Sequence, residues 1–185
     1  MQIINKKIKL PEGDFLCDLQ TWGKKDKKIL LKIYNNWVAL SDLLEKNGGR
    51  RINLPELLSE AIFCLHFKAG RLTSNISKAN TSFDCYDYKN NSRIQVKACS
   101  VKEDLTSFGP RSVWDQLFFV HFFPNKKYDK KYKIYEIPNH LIYNHKVNSK
   151  ETFLDQQKLN RRPRFSIIKD IIAKNQIKHK IYDSL

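Results

Sequence analysis

Acidic residues are scarce in this chain of 185: Asp and Glu number 19 against 34 Lys and Arg, giving a formal net charge of +15. Such a deficit implies a polyanionic partner, either nucleic acid or an anionic membrane. Long apolar runs are missing as well. Nothing approaches a membrane span, and the opening Met-Gln-Ile-Ile-Asn-Lys-Lys lacks the apolar core of a signal peptide. The positive charge is spread along the chain and does not gather on one amphipathic anchor helix. No membrane is therefore expected, and nucleic acid is the partner. The four cysteines, Cys17, Cys64, Cys85 and Cys99, show no paired Cys-x-x-Cys spacing, so reduced thiols in a cytoplasmic protein are expected. His66, His121, His140, His145 and His179 are scattered, which argues against zinc. There is no internal repeat and no low-complexity segment.

What is present fits one globular domain over residues 1–185, with 41% hydrophobic residues and many aromatics. Residues 1–23 carry little pattern beyond a turn at Pro11-Glu-Gly13 and are expected to be irregular. From Lys27 to Lys46, Ile29, Leu30, Ile33, Trp37, Leu40, Leu43 and Leu44 recur at three and four, one stripe of an amphipathic helix that Gly48-Gly49 ends. It suits a core or a dimer. Residues 1–50 thus form an N-terminal segment, and 51–175 the functional core. A second helix follows, with Asn53 as N-cap and Pro55 near the first turn. On it Glu56 and Glu60 stand one above the other. Glu56 needs no role beyond favouring the helix N-terminus; Glu60 lies deeper, on a helix apolar almost all round.

A polar surface loop is expected over 73–82, then a hairpin. The aromatic run at Tyr86 and Tyr88 favours a strand, 93–98 alternates, and Lys89-Asn-Asn-Ser92 is turn chemistry, because Asn tolerates a left-handed backbone. With Asn90 and Asn91 as the turn, Tyr86 pairs with Gln95 and Asp84 with Lys97. One face then gathers Asp84, Tyr86, Gln95 and Lys97. The other holds Phe83, Cys85, Ile94, Val96 and Ala98, and Asp87 points to that apolar side. Further on, Pro110 is placed to start a short helix, and 117–123 is the most apolar run, a buried central strand. A further strand is expected over 132–137, and 153–159 is polar. Ser166 caps a last helix over 167–174, and an edge strand closes the chain near 177–182. The order of elements describes an α/β protein, a mixed β-sheet flanked by helices.

An Asp on one strand and a polar residue, a spacer and Lys on the next resemble the PD-(D/E)XK nuclease core. A carboxylate there binds Mg²⁺, which stabilises charge on a phosphate and lowers the pKa of bound water; the lysine is a fixed cation beside it. Gln95 departs from the pattern, since a glutamate is usual. Either Glu60 supplies the missing negative charge or fewer ions bind. The blocks Leu54-Pro-Glu-Leu-Leu-Ser-Glu60, Asp84-Cys-Tyr-Asp87, Gln95-Val-Lys-Ala98, Asp104-Leu-Thr-Ser-Phe-Gly-Pro-Arg111 and Arg161-Arg-Pro-Arg-Phe-Ser166 together resemble the Bsp-six-one-like group of small type II restriction endonucleases, which cut a GC-any-base-GC palindrome.

That resemblance implies a restriction-endonuclease-like fold and Mg²⁺-dependent hydrolysis of both strands of double-stranded DNA. It also implies a homodimer matching the site's two-fold symmetry, a cognate DNA methyltransferase as genetic partner, and a prokaryotic cytoplasm. Asp84, Gln95 and Lys97 are its catalytic core, with Glu60 as a further acid; Asp84, Gln95 and Glu60 are the metal ligands. Ser107, Arg111 or both face the DNA, and of Arg161, Arg162 and Arg164 at least one reads a guanine edge while others hold phosphates. Two other readings stand beside it: a basic nucleic-acid-binding protein without catalysis, and a structure-specific resolvase or repair nuclease on the same core.

Overall fold

Ten strands and six helical segments, one of them a short 3-10 turn at Lys24–Asp26, are arranged in a computed structural model that describes residues 1–74, 76–77 and 79–185. The strands are β1 (Gln2–Leu10), β2 (Gly13–Thr21), β3 (Gly70–Leu72), β4 (Cys85–Asp87), β5 (Ser92–Cys99), β6 (Thr106–Ser107), β7 (Gln116–His121), β8 (Lys131–Ile137), β9 (Arg164–Phe165) and β10 (Ile181–Ser184). Eight of them form one sheet in the order β1-β2-β3-β4-β5-β7-β8-β10, while β6 and β9 pair separately. Neighbours are antiparallel except β5 and β7, which run parallel. Helices α1 (Lys27–Lys46) and α2 (Glu56–His66) cover one face. On the other lie α3 (Asn139–Tyr143), α4 (Phe153–Lys158) and a closing helix, Ile167–Ala173, wound wider than an α-helix. This is the mixed, helix-flanked sheet that the order of elements predicts.

Strand alternation divides the core. Ile94, Val96, Phe118, Val120 and Ile134 meet Leu58, Ala61 and Ile62 of α2 and Leu30, Tyr34 and Trp37 of α1. Cys99, Leu117, Phe119, Tyr135 and Ile137 face the opposite way, onto Phe108, Trp114, Phe153 and Ile167. β7 is buried at all four central positions because helices cover both faces.

The structure corrects several expectations. Residues 1–21 form a long β1–β2 hairpin, not an irregular segment. Ile8, Leu10, Cys17 and Leu19 are buried, but exposed Lys6 interrupts the alternation on that face and hid the pattern. The helix expected to bury one stripe buries Leu30, Tyr34, Trp37 and Ser41, and leaves Ile29, Leu40, Leu43 and Leu44 exposed. Pro55, not Asn53, occupies the N-cap of α2, without a side-chain bond. Pro110 begins a turn and no helix. Segment 153–159 holds α4, which a Thr152–Asp155 capping box starts, and the edge strand falls at Ile181–Ser184. Of the polar loop at 73–82, positions 75 and 78 lie outside the described residues. Among the described residues no helix is long and apolar enough to cross a membrane.

Candidate active site

The β4–β5 hairpin forms, but in another register. Tyr86 pairs with Arg93, Cys85 with Ile94 and Asp87 with Ser92, so the connection is four residues, not two. Asp87 is responsible: its carboxylate accepts the Lys89 and Asn90 N–H groups at 2.9 and 3.1 Å, winding a longer loop. Asn91 takes the left-handed backbone, at φ 52. The slip is by two positions, and side chains alternate with a period of two, so Asp84, Gln95 and Lys97 keep a common face.

Beyond the Asp84 N–H···O=C bond to Ile94 (3.0 Å) the two strands part. The Asp84 carboxylate fills the gap, accepting the Val96 N–H at 2.8 Å and an N–H of the Gln95 amide. A cleft of about 200 Å³ opens at this fork, lined by Glu56, Ser59, Glu60, Asp84 and Lys97 among others. Burial raises the Asp84 pKa to about 6 against the pull of the Lys97 charge and the Val96 N–H. Burial and the neighbouring Asp84 raise Glu60 to about 7, although its carboxylate is ion-paired with Arg71. Three acids thus line one cleft, two of them raised chiefly by burial.

Glu60 is buried, and its partner Arg71 comes from β3, between β2 and β4. Gly70 permits that approach: a Cβ there would stand 2.6 Å from the Leu19 Cβ. Nothing in the local sequence marks Arg71, because its pairing joins segments far apart. Glu56 does more than favour the helix end; it lines the cleft, and its charge raises both neighbouring acids. Stacking of Glu56 over Glu60 was the available signal.

Lys97 also lines a second groove of about 540 Å³, with Arg51, Asn53, Glu56 and Ser107. Its ammonium lies 5.5 Å from the Phe108 ring centre. Gln95 is 2% exposed, and its Oε1 has no hydrogen-bond partner among the described residues. The expected ligand therefore turns its amide N–H onto Asp84 and lines neither groove.

β6 and β9 bring the two remaining blocks together: Ser107 is paired with Arg164 and Thr106 with Phe165. Asp104 locks them, accepting from Thr106 Oγ1 (2.7 Å), Ser166 Oγ (2.7 Å) and the Ile167 and Ile168 N–H groups (2.8 and 3.0 Å). An acid at a helix start is favoured by the helix dipole. Arg164 is exposed in a third groove, of about 480 Å³, which shares Asp104 and Leu105 with the second. Arg161 is exposed and paired with Glu151 at 2.8 Å; Arg162 is exposed beside it. Arg111 stands apart: exposed, it lines none of these grooves, and its carbonyl accepts from Asn80 and Ser82.

The raised acids make a pH prediction. Glu60 holds its proton more tightly folded than unfolded, so this stabilisation is complete below the ordinary carboxylate range and is lost as pH rises through about 7. Between about pH 5 and about pH 8, metal-free protein should lose on the order of 2 kcal/mol that Glu60→Gln does not lose. Urea unfolding of both proteins in EDTA measures the difference; parallel pH profiles would refute the assignment.

Comparison with known proteins adds an independent finding. Residues 22–174 match the sequence model of the Bsp6I restriction endonuclease family. The chain is 36% identical over 152 residues to the type II restriction enzyme Bsp6I of Bacillus sp. (strain RFL6), a match covering 80% of this chain and 81% of that protein. No solved structure matches at a significant level.

Proposed function

This chain belongs to the Bsp6I restriction endonuclease family and is a type II site-specific deoxyribonuclease; we propose that it cuts GC-any-base-GC with Mg²⁺ at the β4–β5 fork. The observation that carries the reading is the cleft, which Asp84, Glu60, Glu56 and Lys97 line together.

The donors fit a hard divalent cation, for they are oxygens. Among the described residues no three His, Cys, Asp or Glu side chains converge as a metal site. Mg²⁺ does not require that, since it retains several waters and binds through one or two carboxylates. Asp84 would hold it, with Glu60 next to it. Such an ion, when bound, neutralises phosphate charge and makes water a better nucleophile.

The chain's own residues do the remainder. Gln95 and the Val96 N–H fix Asp84, and Arg71 fixes Glu60. Lys97 offers its charge to the scissile phosphate. Arg164, exposed on β9, presents a guanidinium to the DNA, while Ser107 opposite it on β6 keeps a buried hydroxyl without a hydrogen-bond partner among the described residues, free to act only if the groove opens on DNA. A guanidinium meets the O6 and N7 of guanine through two hydrogen bonds, as GC reading requires. Arg111, Arg161 and Arg162 contribute to phosphate binding and register.

Among the described residues one such cleft is formed, and a duplex has two strands. Two copies related by a two-fold axis supply both cuts and match a palindrome. A cognate DNA methyltransferase would protect host sites from the same activity. Plasmid DNA incubated with Mg²⁺ should give discrete fragments that end in GC-any-GC sites and vanish in EDTA. Salt-sensitive binding without any product, or preferred cutting of branched DNA, would overturn the reading.

A further inference from the structure

We infer that Leu105 is a wedge that enters the base stack of the bound duplex at the any-base position, opening the DNA between the groove of Lys97 and that of Arg164. This deepens the nuclease reading above and rests on it.

Leu105 is 70% exposed and lines both grooves. Asp104, the other residue they share, is buried, so the leucine side chain alone rises between them. Two more apolar side chains, Ile52 and Val101, are exposed by 38 and 45% and line the Lys97 groove as well. A single surface leucine calls for no explanation, but three apolar side chains about one groove form a patch. Phosphates do not favour such a patch. The apolar faces of bases do.

The backbone beneath Leu105 is held firmly, as a wedge requires. Its neighbours Asp104 and Thr106 are both buried. The Asp104 carboxylate accepts from Thr106 Oγ1, from Ser166 Oγ and from the Ile167 and Ile168 N–H groups. Thr106 is in turn paired with Phe165 across β6 and β9. With both neighbours turned inward and tied to the closing helix, Leu105 is left projecting outward.

Charge sets the duplex against this ridge. Lys97 lines the groove on one side and exposed Arg164 the groove on the other, each suited to a phosphate or a guanine edge. DNA held by both passes over Leu105. An apolar side chain inserted between base steps unstacks them and kinks the duplex, and the wider contact that the bend brings offsets the unstacking. A leucine has no donor and no acceptor, so it imposes no base identity. In a GC-any-base-GC site, the any-base position is the one that tolerates such a contact.

Duplexes carrying 2-aminopurine at the any-base position, bound by the intact chain in Ca²⁺, test the assignment. At saturation the fluorescence should rise several-fold with wild type and with Leu105→Met, and should not change with Leu105→Ala. Because the side chain is exposed, melting should be the same for all three proteins. A mismatch at that position makes unstacking easier, so wild type should bind it about tenfold more tightly than the matched duplex, and Leu105→Ala should show no preference. Cleavage of the matched duplex in Mg²⁺ should fall about tenfold in Leu105→Ala and recover on the mismatched one. If wild type cuts GC-any-GC sites with no 2-aminopurine signal, or if Leu105→Ala keeps the mismatch preference, the wedge is wrong and the nuclease reading stands. A wild type that cuts no such site overturns both.

Discussion

Asp84→Ala should slow DNA cleavage by about a thousandfold or more, and Lys97→Ala by a similar factor. Neither should weaken DNA binding by more than a few fold. Asp84 occupies the point where β4 and β5 part, and its carboxylate is oriented by the Val96 N–H at 2.8 Å and the Gln95 amide. Removing it leaves the Val96 N–H and the Gln95 amide without their acceptor, a cost to the fold that relief of the buried carboxylate offsets in part. It also removes a negative charge that faces an incoming phosphate. Binding therefore persists or tightens while chemistry fails. Lys97 is set by its place on β5 and by the Phe108 ring 5.5 Å away. An alanine there loses a cation whose position, not merely whose charge, counts in the transition state. Gel shifts in Ca²⁺ and plasmid cutting in Mg²⁺ separate the two effects. If Asp84→Ala cut at the wild-type rate, the catalytic centre would not be at this fork.

The face shared by Asp84, Gln95 and Lys97 was legible in the sequence because parity protects it. The turn expected at Asn90-Asn91 is displaced by Asp87, yet a two-residue slip returns Asp84, Gln95 and Lys97 to one face. A one-residue slip would have destroyed the reading. The apolar run at 117–123 and the helix Lys27–Lys46 were legible for another reason: each is long and strongly patterned. What stayed hidden depends on contacts between distant segments. Arg71 reaches Glu60 only because β3 enters the sheet between β2 and β4. Asp104 looks like an ordinary loop acid until the helix at Ile167 arrives to share its oxygens. The Ser107–Arg164 pairing likewise joins two blocks whose order along the chain says nothing of their adjacency. The β1–β2 hairpin was hidden by composition, since Lys6, opposite Cys17 midway along the edge strand β1, occupies an inward-parity position and is nonetheless exposed.

Gln95→Glu should cost metal-free protein on the order of 3 kcal/mol above pH 7 and much less near pH 5. In the wild type a neutral amide, 2% exposed, donates to Asp84. That donation suits a buried acid. Glutamate at the same place sets a second buried carboxylate against the first, and two such groups cannot both ionise cheaply. One of them takes a proton, so the folded pKa of the pair lies above the ordinary carboxylate range. By linkage the variant keeps its stability at low pH and loses it as pH rises through that raised value. Near pH 5 the shared proton restores the hydrogen bond that the amide made. Urea titrations at both pH values in EDTA read the difference, with Gln95→Leu as a control that removes the amide without adding charge. Mg²⁺ then decides the role of position 95. Because the wild-type amide lines neither groove, the glutamate variant should cut DNA at least tenfold more slowly even in Mg²⁺. Recovery of wild-type cleavage together with full stability in Mg²⁺ would instead place position 95 among the ligands, with the amide oxygen as the native donor.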